Sequence, residues 1–204
     1  MTRHLPETER RAQILRAARA IFIERGYLAA RVEDVASRAR LSKGAVYFYF
    51  DSKRAIFDAL VEEELAVTRS FLDAAQKDLR PAAVKLVDLG RKYLDYFAGL
   101  KSPPRFFLLM SEMAIRDEET RKRVAAIHQQ FVQETARVIQ QGIDEGAFAP
   151  YDPLAAAQML KALIDGMAGQ SAIGIRPDVD RLSNDGIRML LQGLLPGRGG
   201  ADAD

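Results

Sequence analysis

Four consecutive aromatics, Tyr47-Phe48-Tyr49-Phe50, stand between two lysines, Lys43 and Lys53. Cations, phenolic hydroxyls and flat rings at this spacing suit a polyanion. A lysine holds phosphate as a point charge, a tyrosine hydroxyl donates to it, and a ring packs on sugar or a thymine methyl. Ser42 is a good N-cap, so Lys43 falls in the first turn of one helix, and Lys53 and Arg54 start the next. Cations there oppose the helix dipole at about 0.3–1 kcal/mol each. DNA phosphates reverse that sign, because they are attracted both to the cation and to the open amide N–H groups of the helix end.

On a helix over 43–49, Phe50 is the i+4 neighbour of Val46 and plugs the core, while Tyr47 shares a face with Lys43. Tyr47, Phe48 and Tyr49 read as DNA contacts, with ordinary packing as the competing reading for each. Gly44 inside a short helix costs up to about 1 kcal/mol against alanine. Close approach of backbone to DNA would justify it, and slack in the helix is the alternative. Ser42 and Ala45 complete the expected DNA-facing set.

Charge is distributed to match. Residues 1–54 carry twelve Lys/Arg against six Asp/Glu, a net +6, and the remainder is −4 although the chain as a whole is only +2. A basic head on an acidic body points to a polyanion partner at one end.

Other chemistries find little support. Cysteine is absent, which removes disulfides, thiolate nucleophiles and cysteine metal sites. There is no GxGxxG, P-loop or HExxH pattern, and neither His4 nor His128 has ligand-spaced partners. No cofactor, metal or catalytic residue is expected. No apolar run approaches the roughly 20 residues of a membrane span, and MTRHLPETERRAQ lacks a signal h-region, so a cytoplasmic protein without a membrane partner is predicted.

Nearly every segment has a helical period. The first helix should run from about Glu7 to Arg25 and stop at Gly26. A short helix over Val32–Ala39, a turn at Arg40-Leu41 and a third helix from Lys43 to Tyr49 make a helix-turn-helix pattern, whose second helix enters the major groove. A fourth runs to about Lys77. Pro81, Pro103-Pro104, Asp117, Asp152-Pro153 and Pro177-Asp178 each restart the chain as a helix. The fold class is therefore all-α with about nine helices: a three-helix DNA-binding domain over 1–53, a bundle over 54–196 and a disordered tail over 197–204.

The run RAQILRAARAIFIERGYLAARVEDVASRARLSKGAVYFYFDSKRAIFDAL resembles the DNA-binding domain of the TetR family of bacterial transcriptional regulators. The resemblance rests on Gly26-Tyr27, Val32-Glu33-Asp34-Val35-Ala36, Leu41 to Tyr47, Phe50 and Ser52-Lys53 in register. It implies an all-helical homodimer that binds a double-stranded DNA operator and takes a small-molecule effector in its C-terminal bundle. In the family, Thr or Ser commonly precedes Val32; here Arg31 does, so a phosphate contact by its guanidinium and a poorer helix cap are expected.

In the bundle, apolar residues at helical spacing give the candidate effector-binding set Tyr93, Phe97, Phe107, Met110, Met113, Phe131, Met159, Leu163 and Met167, although such stripes are more often core. Asp165, inside ALIDGMAG, is either a polar anchor for the effector or a partner for Lys161 one turn earlier. Ala155, Ala162, Gly166 and Gly169, with Ile187, Leu190, Leu191 and Leu194, would form a dimer interface, packing within one chain being the alternative. The expected function is a repressor released from a palindromic operator by a largely apolar effector. An activator, an effector-independent regulator, a protein-binding bundle and an enzyme stay open as alternatives.

Overall fold

A computed structural model describes residues 6–99 and 105–194. The described residues contain only helices and their connections: α1 (Glu7–Arg25), α2 (Val32–Arg38), α3 (Lys43–Tyr49), α4 (Lys53–Gln76), α5 (Ala82–Gly99), α6 (Arg105–Arg116), α7 (Glu118–Asp144) and α8 (Pro153–Ala172). The final stretch is α9 (Val179–Arg181), a π-helical turn over Leu182–Gly186 and α10 (Ile187–Leu194). The expected tail, 197–204, lies outside the described residues.

Helix ends follow from local chemistry. Gly26 takes φ +77°, which a side chain rarely adopts, and its N–H donates to the Phe22 carbonyl at 2.9 Å, stopping α1. Ser52 Oγ accepts from Ala55 N–H at 3.0 Å to open α4, and Asp117 Oδ2 accepts from Thr120 N–H at 2.7 Å to open α7. Asp152 caps α8 ahead of Pro153, whose missing N–H would be unpaired there anyway. The start of α5 has a distant partner: Ala82 N–H donates to Glu145 Oε2 at 3.1 Å, just beyond the end of α7.

The described chain forms two compact units, one of residues 6–66 with 105–122 and one of 67–99 with 123–194. The helix-turn-helix unit is thus larger than the expected 1–53. It takes in the first half of α4, all of α6 and the start of α7, because three helices alone leave their apolar faces uncovered. In its core Phe22 and Phe57 are fully buried and Phe106 is 2% exposed. Tyr27 and Phe57 rings lie 4.8 Å apart and Phe57 and Phe106 rings 5.8 Å apart, so α6 closes the cluster. Arg54 ties α4 to the α6–α7 junction: Nη1 lies 2.7 Å from Asp117 Oδ1, Nη2 donates to Thr120 at 3.3 Å, and Nε donates to Asp58 at 2.9 Å. Its guanidinium holds the Asp117 carboxyl well below the usual carboxylate range.

The second unit is built around Leu72, Tyr93, Phe131, Ile139, Phe148 and Ala157. Phe71 and Tyr93 meet edge-on at 5.0 Å, and Tyr93 and Phe131 at 6.0 Å. Burial pushes the Tyr93 phenol up to about 12, and its hydroxyl donates to Thr68 Oγ1 at 3.2 Å. Among the described residues no helix is long and apolar enough to cross a membrane, and no group of three or more His, Asp or Glu could hold a metal ion.

Candidate nucleic-acid interface

Seven residues of α3 divide cleanly by face. Val46 is fully buried and Phe50, immediately after the helix, is 3% exposed, so these two anchor it to the head. The opposite face carries Ser42, Lys43, Gly44, Tyr47 and Phe48, all exposed, with Phe48 at 81%. An aromatic ring that uncovered adds little to the core of the isolated subunit. Ala45 and Tyr49 are half-buried, and the Phe48 and Tyr49 rings meet edge-on at 5.1 Å. Ser42 Oγ accepts from Ala45 N–H at 3.1 Å, fixing the first turn. A Cβ added at Gly44 would approach only Ser42 Oγ, at 4.0 Å, so internal packing does not demand glycine and the outer side is where space matters.

Lys43 is held by a neighbour that the sequence reading did not single out. Its Nζ lies 2.6 Å from Glu33 Oε1 and 5.8 Å from the centre of the Tyr47 ring. The hydrogen bond from Lys43 lowers the Glu33 carboxyl and raises the lysine. Both groups are solvent-exposed, so the pair adds little to stability and mainly aims the ammonium. The i-to-i+10 separation, across the turn of the motif, gives no helical-spacing signal.

Arg31 occupies the N-cap of α2 with its side chain exposed. As expected it does not cap through its own side chain, but Asp34 takes over part of the task. Asp34 Oδ2 accepts from Arg31 N–H at 3.1 Å, and Asp34 N–H donates to the Arg31 carbonyl, also at 3.1 Å. The same carboxylate accepts Arg25 at 2.7 Å.

Lys53 has partners within the head itself. Its ammonium donates to the carbonyls of Tyr27 at 2.8 Å, Leu28 at 3.2 Å and Ala30 at 3.0 Å, and lies 4.6 Å over the Tyr27 ring. An ammonium has three protons, and all are engaged in closing the loop between α1 and α2. Lys53 is a strut of the head, and the expected phosphate contact would require it to leave those carbonyls.

The ten expected effector residues are divided between the two units. Phe107, Met110 and Met113 are on α6 in the first unit, the two methionines 4% and 7% exposed. Phe97 lies outside the described side chains. In the second unit Phe131, Leu163 and Met167, with Leu94, Ile164 and Ile187, line an apolar cavity of about 240 Å³. Met159 is 70% exposed and belongs to a neighbouring apolar concavity of about 420 Å³ shared with Tyr151, Ala155, Leu163 and Leu190. Asp165 pairs with Lys161 one turn earlier, the local alternative, and Lys161 Nζ lies 5.7 Å over the Phe131 ring. Periodicity identified which faces are apolar, but not which of several neighbouring helices each face meets.

Ala155, Ala162 and Gly166 are exposed and Gly169 half-exposed, forming with Met159 and Ile173 one stripe along α8. Added Cβ atoms at Gly166 and Gly169 would meet nothing within 4 Å. Leu190 is 37% exposed, whereas Ile187 is half-buried against its own unit, its Cδ1 lying 3.4 Å from where a Gly90 Cβ would stand. The side chains of Leu191 and Leu194 lie outside the described residues.

Residues 14–60 match the model of bacterial regulatory proteins of the tetR family, and residues 94–196 match that of the C-terminal domain of BetI-type transcriptional repressors. The HTH-type regulator YfiR of Bacillus subtilis is 32% identical over 149 residues, 72% of either chain. The HTH-type repressor KstR2 of Mycobacterium tuberculosis is 30% identical over 155 residues, 69% of this chain and 70% of that one. In structure the chain is similar to the Bacillus subtilis regulator FadR in complex with stearoyl-CoA, with a TM-score of 0.66 at 23% identity over 90% of this chain and 98% of that one.

Proposed function

Because the chain belongs to the TetR family of bacterial transcriptional regulators, we propose that it acts as a homodimeric repressor released from a near-palindromic operator by an apolar small molecule. The exposed face of α3 carries this reading: Lys43 at the helix start, Tyr47 on the same side and an uncovered Phe48, beside an exposed Arg31. Two heads related by a dyad would set α3 into successive major grooves about 34 Å apart, so a spacing change of a few ångströms would release DNA.

The exposed stripe along α8 supports self-association. Small residues let two helix backbones approach closely, and apolar Met159, Ile173, Met189 and Leu190 are otherwise left to water. The 240 Å³ cavity lined by Phe131, Met167 and Ile187 supports an effector that is mostly hydrocarbon, in keeping with the stearoyl-CoA complex of FadR and the ketosteroid regulator KstR2, both similar in fold.

The test is selection of bound fragments from genomic DNA, followed by anisotropy titrations on the selected sequence with wild type and Lys43→Ala. The expected result is salt-steep binding that Lys43→Ala weakens far more on the selected sequence than on random DNA. Acyl-CoA thioesters and steroids are then titrated into the complex, and release by one of them identifies the effector class. Selection that enriches no sequence refutes the reading.

A further inference from the structure

Most cations of the head are tied down. Arg19 pairs with Glu63 and Glu64, Arg25 with Asp34, Arg38 with Glu24, Lys43 with Glu33, and Arg54 with Asp58 and Asp117. Arg11 donates to the Tyr49 carbonyl and Lys53 to the three loop carbonyls. Among the described residues, Arg16, Arg31 and Arg40 have exposed side chains and no such partner.

Arg16 and Arg40 share one concavity of about 340 Å³ at the flank of the helix-turn-helix, with Arg38, Gln13, Ala17 and Ala39. Gln13 Nε2 donates to the Ala39 carbonyl at 2.7 Å, which fixes the end of α2 against α1 and hence the spacing of the arginines. Arg40 is also the only non-glycine described residue with positive φ, +55°. Glycine adopts that conformation without strain, and arginine does not.

Two neighbouring guanidiniums without a carboxylate repel each other, and a left-handed arginine strains the turn. A bound anion reverses the repulsion. The left-handed turn itself is the close of α2, with Arg40 N–H donating to the Ser37 carbonyl at 3.0 Å and Leu41 N–H to the Ala36 carbonyl at 2.9 Å. Glycine would serve at that position without strain, and an arginine there must be justified by its side chain. Arg40 precedes Ser42 by two residues and Lys43 by three, so its backbone lies within roughly 11 Å of the start of the reading helix. We propose that Arg16 and Arg40 clamp a backbone phosphate of the bound DNA, beside the groove that α3 reads and apart from the contacts of Arg31 and α3. The planar guanidinium forks match phosphate oxygens bidentately. This clamp rests on the DNA-binding reading above. It supplies sequence-independent affinity and holds the register of α3.

The test measures anisotropy against salt concentration on the selected operator and on random duplex, with wild type, Arg16→Ala, Arg40→Gly and Arg40→Lys. One lost phosphate contact makes the slope of log K against log salt shallower by about 0.9, which at 0.1 M salt is about an eightfold loss. Arg40→Gly and Arg16→Ala are expected to show that loss on both duplexes, so the operator-to-random ratio stays the same, while Arg40→Lys keeps the slope. Arg40→Gly is expected to melt at the same or a higher temperature than wild type, which separates lost contact from lost fold. Slopes unchanged in Arg16→Ala and Arg40→Gly, with wild type binding its operator, overturn the clamp alone. Wild type that binds no duplex overturns the regulator reading and the clamp with it.

Discussion

Replacing Lys53 by methionine keeps the apolar stem and removes the ammonium that holds the Tyr27, Leu28 and Ala30 carbonyls together. Hydrogen bonds to charged groups contribute about 1.5–3 kcal/mol each in favourable cases. Here the side chain is half-buried, so water replaces part of the lost interaction, and about 1 kcal/mol per bond is the appropriate scale. The cation–π contact with Tyr27 adds about 0.5 kcal/mol. Lys53→Met should therefore destabilise the protein by about 3.5 kcal/mol, lowering the melting temperature by roughly 7–14 °C for a chain of this size. The assay is thermal unfolding followed by circular dichroism, with DNA anisotropy well below the melting range. The salt slope should stay at the wild-type value, because an ammonium engaged by three carbonyls has no proton left for phosphate. A melting temperature equal to wild type with a slope shallower by about 0.9 would refute the reasoning and return Lys53 to the DNA contact set.

Further outcomes can be measured on the same material. Asp117 has a depressed folded-state pKa caused by Arg54 and Thr120, so its contribution is fully present above the unfolded value near 4 and lost as pH falls below it. The melting-temperature gap between wild type and Asp117→Asn should be constant at neutral pH and close below about pH 4. At Gly142 an added Cβ would overlap the buried Phe148 ring, so Gly142→Ala should cost about 1–3 kcal/mol in chemical denaturation, and an unchanged midpoint would contradict it. A Cβ at Gly166 meets nothing in its own subunit, so Gly166→Arg should leave the circular dichroism spectrum intact while sedimentation shifts from dimer to monomer. A variant that still sediments as a dimer would move the interface away from the α8 stripe.

The elements were legible because their signals are local. Gly26, Ser42 and Asp152-Pro153 end or open helices within a few residues of themselves, and α1 and α3 have the boundaries the periodicity predicts. The outward placement of Tyr47 and Phe48 was legible too, because Val46 and Phe50 fix which side of a two-turn helix must face inward. What was illegible lies across long separations. The carbonyls that hold Lys53 are 23 to 26 residues upstream, and a lysine that ties loops looks in sequence like one that waits for phosphate. The same limit applies to the effector residues: Met110 and Met167 both read as apolar stripes, and only tertiary packing assigns them to different units. The π-helical turn at Leu182–Gly186 broke the expected last helix without a proline to announce it.

The cap on α5 bears on how the chain is made. The first amide of that helix, at Ala82, is satisfied by Glu145, a residue synthesised 63 positions later. At elongation rates of about 5–20 residues per second, several seconds pass between the emergence of the two. During that interval α2 and α3 already have the local caps Asp34 and Ser42, whereas α5 begins on an amide that only water can satisfy. On the ribosome α5 thus locks its first turn only when α7 has been translated to its end, and the DNA-reading unit likewise waits for α6, whose Phe106 closes its aromatic cluster.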